Sequence, residues 1–204
     1  VSIRSHLHEK RFLFQAQLPD ALKQGLRVSK WSQKKWHLMI SGSKSVTNRA
    51  LVLAAMGGRP VEIHVPLLAD DTWWGFLALE QLGFGLDLSQ LPESVFITPP
   101  KPAHRSKSSD PQSALIHVGQ AGTLGRFLPA VLLNWNRVYP ESPLKRFVVT
   151  ADEQLARRPL APLLSALSEL GAVIGVPESL SFPLEVSVSK LGGRCSVDSS
   201  TSGQ

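Results

Sequence analysis

Cysteine is almost missing: Cys195 is the only one in 204 residues. A single thiol excludes an internal disulfide framework and a cysteine-built zinc site, and it fits a reducing compartment. Long apolar runs are missing as well. The longest, such as Ala50–Met56, has seven residues, against about 20 for a membrane-spanning helix. The opening VSIRSHLHEKRF carries charge and no apolar stretch of the kind a secretory signal needs, so the expected location is cytoplasmic. Val1 stands first rather than Met, which fits a processed product or a fragment. With 43% apolar and 19% charged residues, the composition is neither disordered nor collagen-like and supports one large domain or two small ones.

Acidic residues are scarce in one place only. Residues 1–35 hold eight Lys/Arg and two acids, whereas the remaining 169 hold 14 of each, so the net charge of +6 belongs to the N-terminal arm. A nucleic-acid surface would need its basic residues on the folded part. The arm is therefore read as a solvated segment over 1–36, followed by a folded domain over 37–204.

Hydrophobic patterning gives that domain an α/β character. Strands are expected at Trp36–Ile40, Val61–Val65, Leu86–Leu88, Val95–Thr98, Ala114–Val118, Arg146–Thr150, Val173–Val176, Leu184–Val188 and Gly193–Asp198. Helices are expected at Val46–Met56, Thr72–Leu82 with an aspartate N-cap, Leu124–Leu133, and Leu155–Leu170 with Pro159 tolerated in its first turn. The order repeats. Leu82–Gly83 and Leu170–Gly171 close corresponding helices 88 residues apart, so the reading is two βαβαββ units and the truncated start of a third.

Three turns occupy the same place, between a first strand and a first helix: SGSKS (41–45), GQAGT (119–123) and STSGQ (200–204). Helix N-terminal amides and their dipole form an anion site, glycine lets backbone approach the anion, and hydroxyls add donors. Lys44, Arg49, Arg126 and Arg158 add cations near these turns. The pattern predicts a small polyanionic ligand bearing phosphate and carboxylate groups. GSKS ends like a nucleotide-binding P-loop but lacks its upstream glycine spacing, which excludes an ATP site of that kind. Asp70 and Asp71 fit a helix cap better than a metal site, since no third ligand lies nearby. His6 and His8 lie in the arm and are weak evidence for metal. His37, His64 and His117 fall in apolar strands and read as structural. The five tryptophans read as core or interface.

At GSKSVTNRALVLAA (42–55) the sequence resembles the enolpyruvyl transferase family, in the branch acting on shikimate 3-phosphate. The resemblance continues in order through LLADDT (67–72), QAGTLGRFL (120–128), ARRPLAPLLSAL (156–167) and VDSSTSGQ (197–204), spanning about four-fifths of the chain. It implies a fold of βαβαββ units arranged as an inside-out α/β barrel. It also implies transfer of the enolpyruvyl group of phosphoenolpyruvate to the 5-hydroxyl of shikimate 3-phosphate, with no metal or organic cofactor and with glyphosate as a competitor of phosphoenolpyruvate.

The same resemblance assigns residues. Lys44, Ser45, Arg49, Ser202, Gly203 and Gln204 match positions that hold shikimate 3-phosphate. Lys44, Gly122, Thr123, Arg126 and Arg158 match positions around phosphoenolpyruvate, where a side chain in place of Gly122 would crowd glyphosate. Three residues depart from the family pattern: Gly203 replaces the second serine of a Ser-Ser-Gln turn, Gln120 replaces an asparagine, and Ser41 replaces a proline. The family's acid/base carboxylates, its catalytic lysine and further arginines belong to a second half with no counterpart here. The expectation is a portion that carries the shikimate 3-phosphate half-site, has no catalytic residue of its own and turns over nothing alone. The alternative is a non-catalytic binding or pairing module completed by a separate second-half chain.

Overall fold

The structure, a computed structural model, describes residues 42–101 and 110–197. All belong to one compact unit that begins at Gly42. The arm, the expected strand Trp36–Ile40 and the turn at 200–204 lie outside the described residues.

Helix α1 (Lys44–Gly57) starts where Ser43, in extended backbone, accepts the Val46 N–H at 3.4 Å. It ends at Gly58, whose left-handed φ of 62° lets the chain turn back. Strand β1 (Val61–His64) leads to α2 (Asp70–Gln81), then β2 (Gly85–Asp87) and β3 (Ser94–Thr98). The three strands form an antiparallel sheet in the order β1-β3-β2, with Val61 opposite Ile97. Strand β4 (Ser113–His117), α3 (Gly122–Leu133), α4 (Trp135–Val138), β5 (Arg146–Thr150), α5 (Glu153–Ala156), α6 (Ala161–Glu169), β6 (Val173–Gly175) and β7 (Leu184–Ser187) follow. The second sheet has the order β4-β5-β7-β6: β4 runs parallel to β5, and the other pairs are antiparallel. The chain is thus a mixed α/β fold. No helix among the described residues is long and apolar enough to cross a membrane.

Four sequence expectations need correction. The N-cap of α2 is Ala69, not an aspartate; Thr72 does the capping by accepting the Ala69 N–H at 2.9 Å, while Asp70 and Asp71 occupy the first turn. The helix expected over Leu155–Leu170 is two helices. Counted from the Asp152 N-cap, Pro159 falls well past the first turn. There it lacks an N–H and forces Arg158 away from helical backbone. Residues 193–197 form no strand, because no described strand pairs with them. His64 is exposed on β1 rather than packed in a core.

The core joins both sheets. Phe84 follows α2, Phe147 lies in β5, Trp135 opens α4 and Tyr139 follows it. Their rings contact one another at centroid separations of 4.5 to 6.3 Å. Trp135 and Phe147 are fully buried. Tyr139 donates its hydroxyl to the Ala55 carbonyl at 2.7 Å, tying this cluster to the end of α1. Burial pushes the Tyr139 phenol up to about 12, against a smaller opposing effect of the Gly58 backbone N–H.

Candidate functional site

The turn that opens α1, the strand-to-helix turn that opens α3 and one helix break meet at a cavity of about 300 Å³. It is lined by Lys44 from the start of α1, Asp71 from α2, Gln120, Gly122, Thr123 and Arg126 around the start of α3, and Gln154, Leu155 and Arg158 around α5.

The first turn is held by close backbone approach. A Cβ at Gly42 would lie 2.6 Å from the Val65 carbonyl oxygen and 3.0 Å from the Leu67 nitrogen, so only glycine fits. Leu67 donates its N–H to Thr47 Oγ1 at 3.0 Å, and Val65 holds a positive φ of 46°. A β-branched residue in that region is a strained outlier. This lacing fixes the entry to α1, so Lys44 at its first position overlooks the cavity. Lys44 Nζ lies 3.0 Å from Asp71 Oδ2.

The second turn ends in α3, whose N-cap is Ala121, with no side chain able to cap the first amides. That leaves N-terminal donors and the positive end of the helix dipole for an anion. Thr123 adds a hydroxyl, and Gly122 keeps the wall flat. A Cβ at Gly122 would sit 3.4 Å from Arg126 Nη1 and 3.6 Å from Arg158 Nη1, so both guanidiniums flank this glycine. Neither has a carboxylate partner among the described residues. Among the described residues Arg126 reaches the Gly122 carbonyl, at 3.5 Å.

The third wall comes from the Pro159 break. Arg157 turns to Glu153, while Arg158 turns to the cavity. A distant loop holds the break: Ser181 donates its hydroxyl to the Arg158 carbonyl at 2.9 Å, and Leu160 donates its N–H to the Leu180 carbonyl at 3.1 Å.

The lining therefore carries three cations and one carboxylate, a surplus of two positive charges. Guanidiniums with no carboxylate partner among the described residues, set beside helix amides, suit a doubly charged oxyanion, since the planar fork matches carboxylate and phosphate geometry. Of the expected site residues, Lys44, Gly122, Thr123, Arg126 and Arg158 come together here. Ser45 and Arg49 do not line the cavity; four residues apart, they share another stripe of α1. Ser202, Gly203 and Gln204 lie outside the described residues. Sequence reasoning missed Gln154, Leu155 and above all Asp71, which it assigned to helix capping. The signal available for Asp71 was its place in the first turn of a helix, as for Lys44.

The sequence pattern of the family described as EPSP synthase (3-phosphoshikimate 1-carboxyvinyltransferase) matches residues 30–204. The 3-phosphoshikimate 1-carboxyvinyltransferase of Syntrophobacter fumaroxidans is 38% identical over 172 residues, covering 83% of this chain and 37% of that protein. The protein of the same name from Opitutus terrae is 32% identical over 167 residues, covering 81% and 36% respectively. A solved EPSP synthase from Acinetobacter baumannii shares the fold with a TM-score of 0.61 at 21% identity, over 76% of this chain and 33% of that one. The chain thus spans a little over a third of the length of these two relatives.

Proposed function

Because the chain belongs to the EPSP synthase family, we propose that it serves the transfer of the enolpyruvyl group of phosphoenolpyruvate to the 5-hydroxyl of shikimate 3-phosphate. In this reading it supplies the cationic part of the site. The carrying observation is the pair Arg126 and Arg158 flanking Gly122 with no carboxylate partner among the described residues. Such a pair holds the carboxylate or phosphate of phosphoenolpyruvate and preorganises charge for the step that expels phosphate. Lys44, released from Asp71, reaches the same anion. Ser45, Arg49 and the turn at 202–204 hold shikimate 3-phosphate. Glyphosate competes with phosphoenolpyruvate beside Gly122.

The acid/base groups that move protons to and from the transferred group come from the remainder of a full-length enzyme. The domain over 37–204 consists of βαβαββ units of an inside-out barrel, preceded in the sequence by the basic arm over 1–36. In support, β1-β3-β2 and β5-β7-β6 share one antiparallel order.

Calorimetric titration of the chain with shikimate 3-phosphate, with shikimate as control, tests the proposal. Saturable binding that requires the phosphate is expected, with no turnover by the chain alone. Lys44→Ala should weaken phosphoenolpyruvate binding by roughly 1–3 kcal/mol, as should Arg158→Ala. A folded chain that binds neither compound would refute the reading.

A further inference from the structure

The cavity's two arginines sit on elements with no direct bond between their side chains, yet their separation decides whether one anion can touch both. Arg126 belongs to α3, which starts from the 119–123 turn. Arg158 follows α5, which starts at Asp152. One side chain outside the cavity touches what anchors both. His117, at the end of β4, pairs through Nε2 with Asp152 Oδ1 at 3.1 Å. The carboxylate accepts, so Nε2 donates, and Nδ1 pairs with Thr150 Oγ1 at 2.9 Å. The other side of His117 meets α2. Trp74 lies edge-on to the imidazole, with ring centroids 5.0 Å apart, and Gln81 Oε1 accepts the His117 backbone N–H at 2.8 Å. The Trp74 indole also covers Gly119: a Cβ there would lie 2.2 Å from Trp74 Cε2. Backbone bonds complete the joint, from Asp152 N–H to the Gly119 carbonyl at 3.0 Å and from Val118 N–H to the Thr150 carbonyl at 2.9 Å.

We propose that His117 is a positioning residue: braced by Trp74, it holds Asp152 and so sets the spacing between the Arg126-bearing and Arg158-bearing elements. This rests on the anion-binding reading of the cavity. Asp152 makes no side-chain cap bond to α5, so its carboxylate is left for His117. The imidazole does not line the cavity, and its effect on a ligand is therefore indirect, through the placement of the two guanidiniums.

The test compares the 204-residue chain with His117→Ala, His117→Gln and Asp152→Ala. Gln restores an amide donor near the place of Nε2, and Asp152→Ala cuts the same bond from the other side should His117→Ala fail to fold. Amide hydrogen exchange should quicken about tenfold at 119–123 and 152–156 while 146–149 and 184–187 stay unchanged. The dissociation constant for phosphoenolpyruvate should rise about tenfold, and His117→Gln should recover most of it. Uniform loosening, unchanged exchange, or local loosening with unaltered affinity would overturn the proposal. If the parent chain binds no phosphoenolpyruvate yet shows the local exchange pattern, the positioning stands and the anion reading falls.

Discussion

Replacing Gly119 by alanine tests the joint between α2 and the 119–123 turn. Two costs are expected. Gly119 has a positive φ of 53°, where an added Cβ costs roughly 1–2 kcal/mol. The new methyl would also lie 2.2 Å from Trp74 Cε2 and Nε1, deep inside contact distance, and forced overpacking typically costs about 1–3 kcal/mol. Gly119→Ala should therefore destabilise by about 2–5 kcal/mol in urea unfolding followed by circular dichroism. The two costs separate in a double-mutant cycle. In a Trp74→Ala background the overlap vanishes and only the backbone cost of about 1–2 kcal/mol remains, leaving a coupling of about 1–3 kcal/mol. If Gly119→Ala costs the same in both backgrounds to within about 0.5 kcal/mol, the sites are independent and the packing argument is wrong.

Gly122→Ala is the counterpart without strain. Its Cβ meets only ordinary contacts with Arg126, Arg158 and Leu155, so the melting temperature should hold while glyphosate inhibition of a reconstituted enzyme weakens; equal inhibition counts against the pocket assignment. Val65→Gly should relieve the strain of a β-branched residue at φ 46° and give a net gain of about 1 kcal/mol after the entropy cost of glycine, visible as a higher melting temperature; no rise would refute the strain. Tyr139 is the only tyrosine, so tyrosinate absorbance reports it alone. Its folded pKa lies near 12 against an ordinary 10.0, so the folded state holds this proton more tightly than the unfolded state. The stability it contributes is complete below pH 10 and is lost as pH rises towards 12. A folded-state midpoint at 10 would contradict its burial.

The features legible in the sequence are those written locally. Arg146–Thr150 was readable because apolar and β-branched residues mark a strand, and the ends of α1 and α2 because Gly58 and Gly83 stop helices. The turns around Lys44 and Gly122 were readable because small residues before an apolar helix mark an anion site. Contacts across the chain were not. Asp71 meets Lys44 from 27 positions away. His117 looked structural in an apolar strand because Trp74, Gln81 and Asp152 lie 35 to 43 positions from it. The break at Pro159 was misjudged because the start of its helix, not the proline itself, decides which turn it occupies.

That break divides two identical neighbours. An unbroken helix would carry residues 157 and 158 along one rod, about 100° apart. Instead Arg157 is neutralised one turn back by Glu153, and Arg158 keeps its charge for the cavity. The two side chains therefore carry different costs when they are removed. Loss of the guanidinium at 157 gives up a surface ion pair, whereas loss of the one at 158 removes one of the three cations that line the cavity.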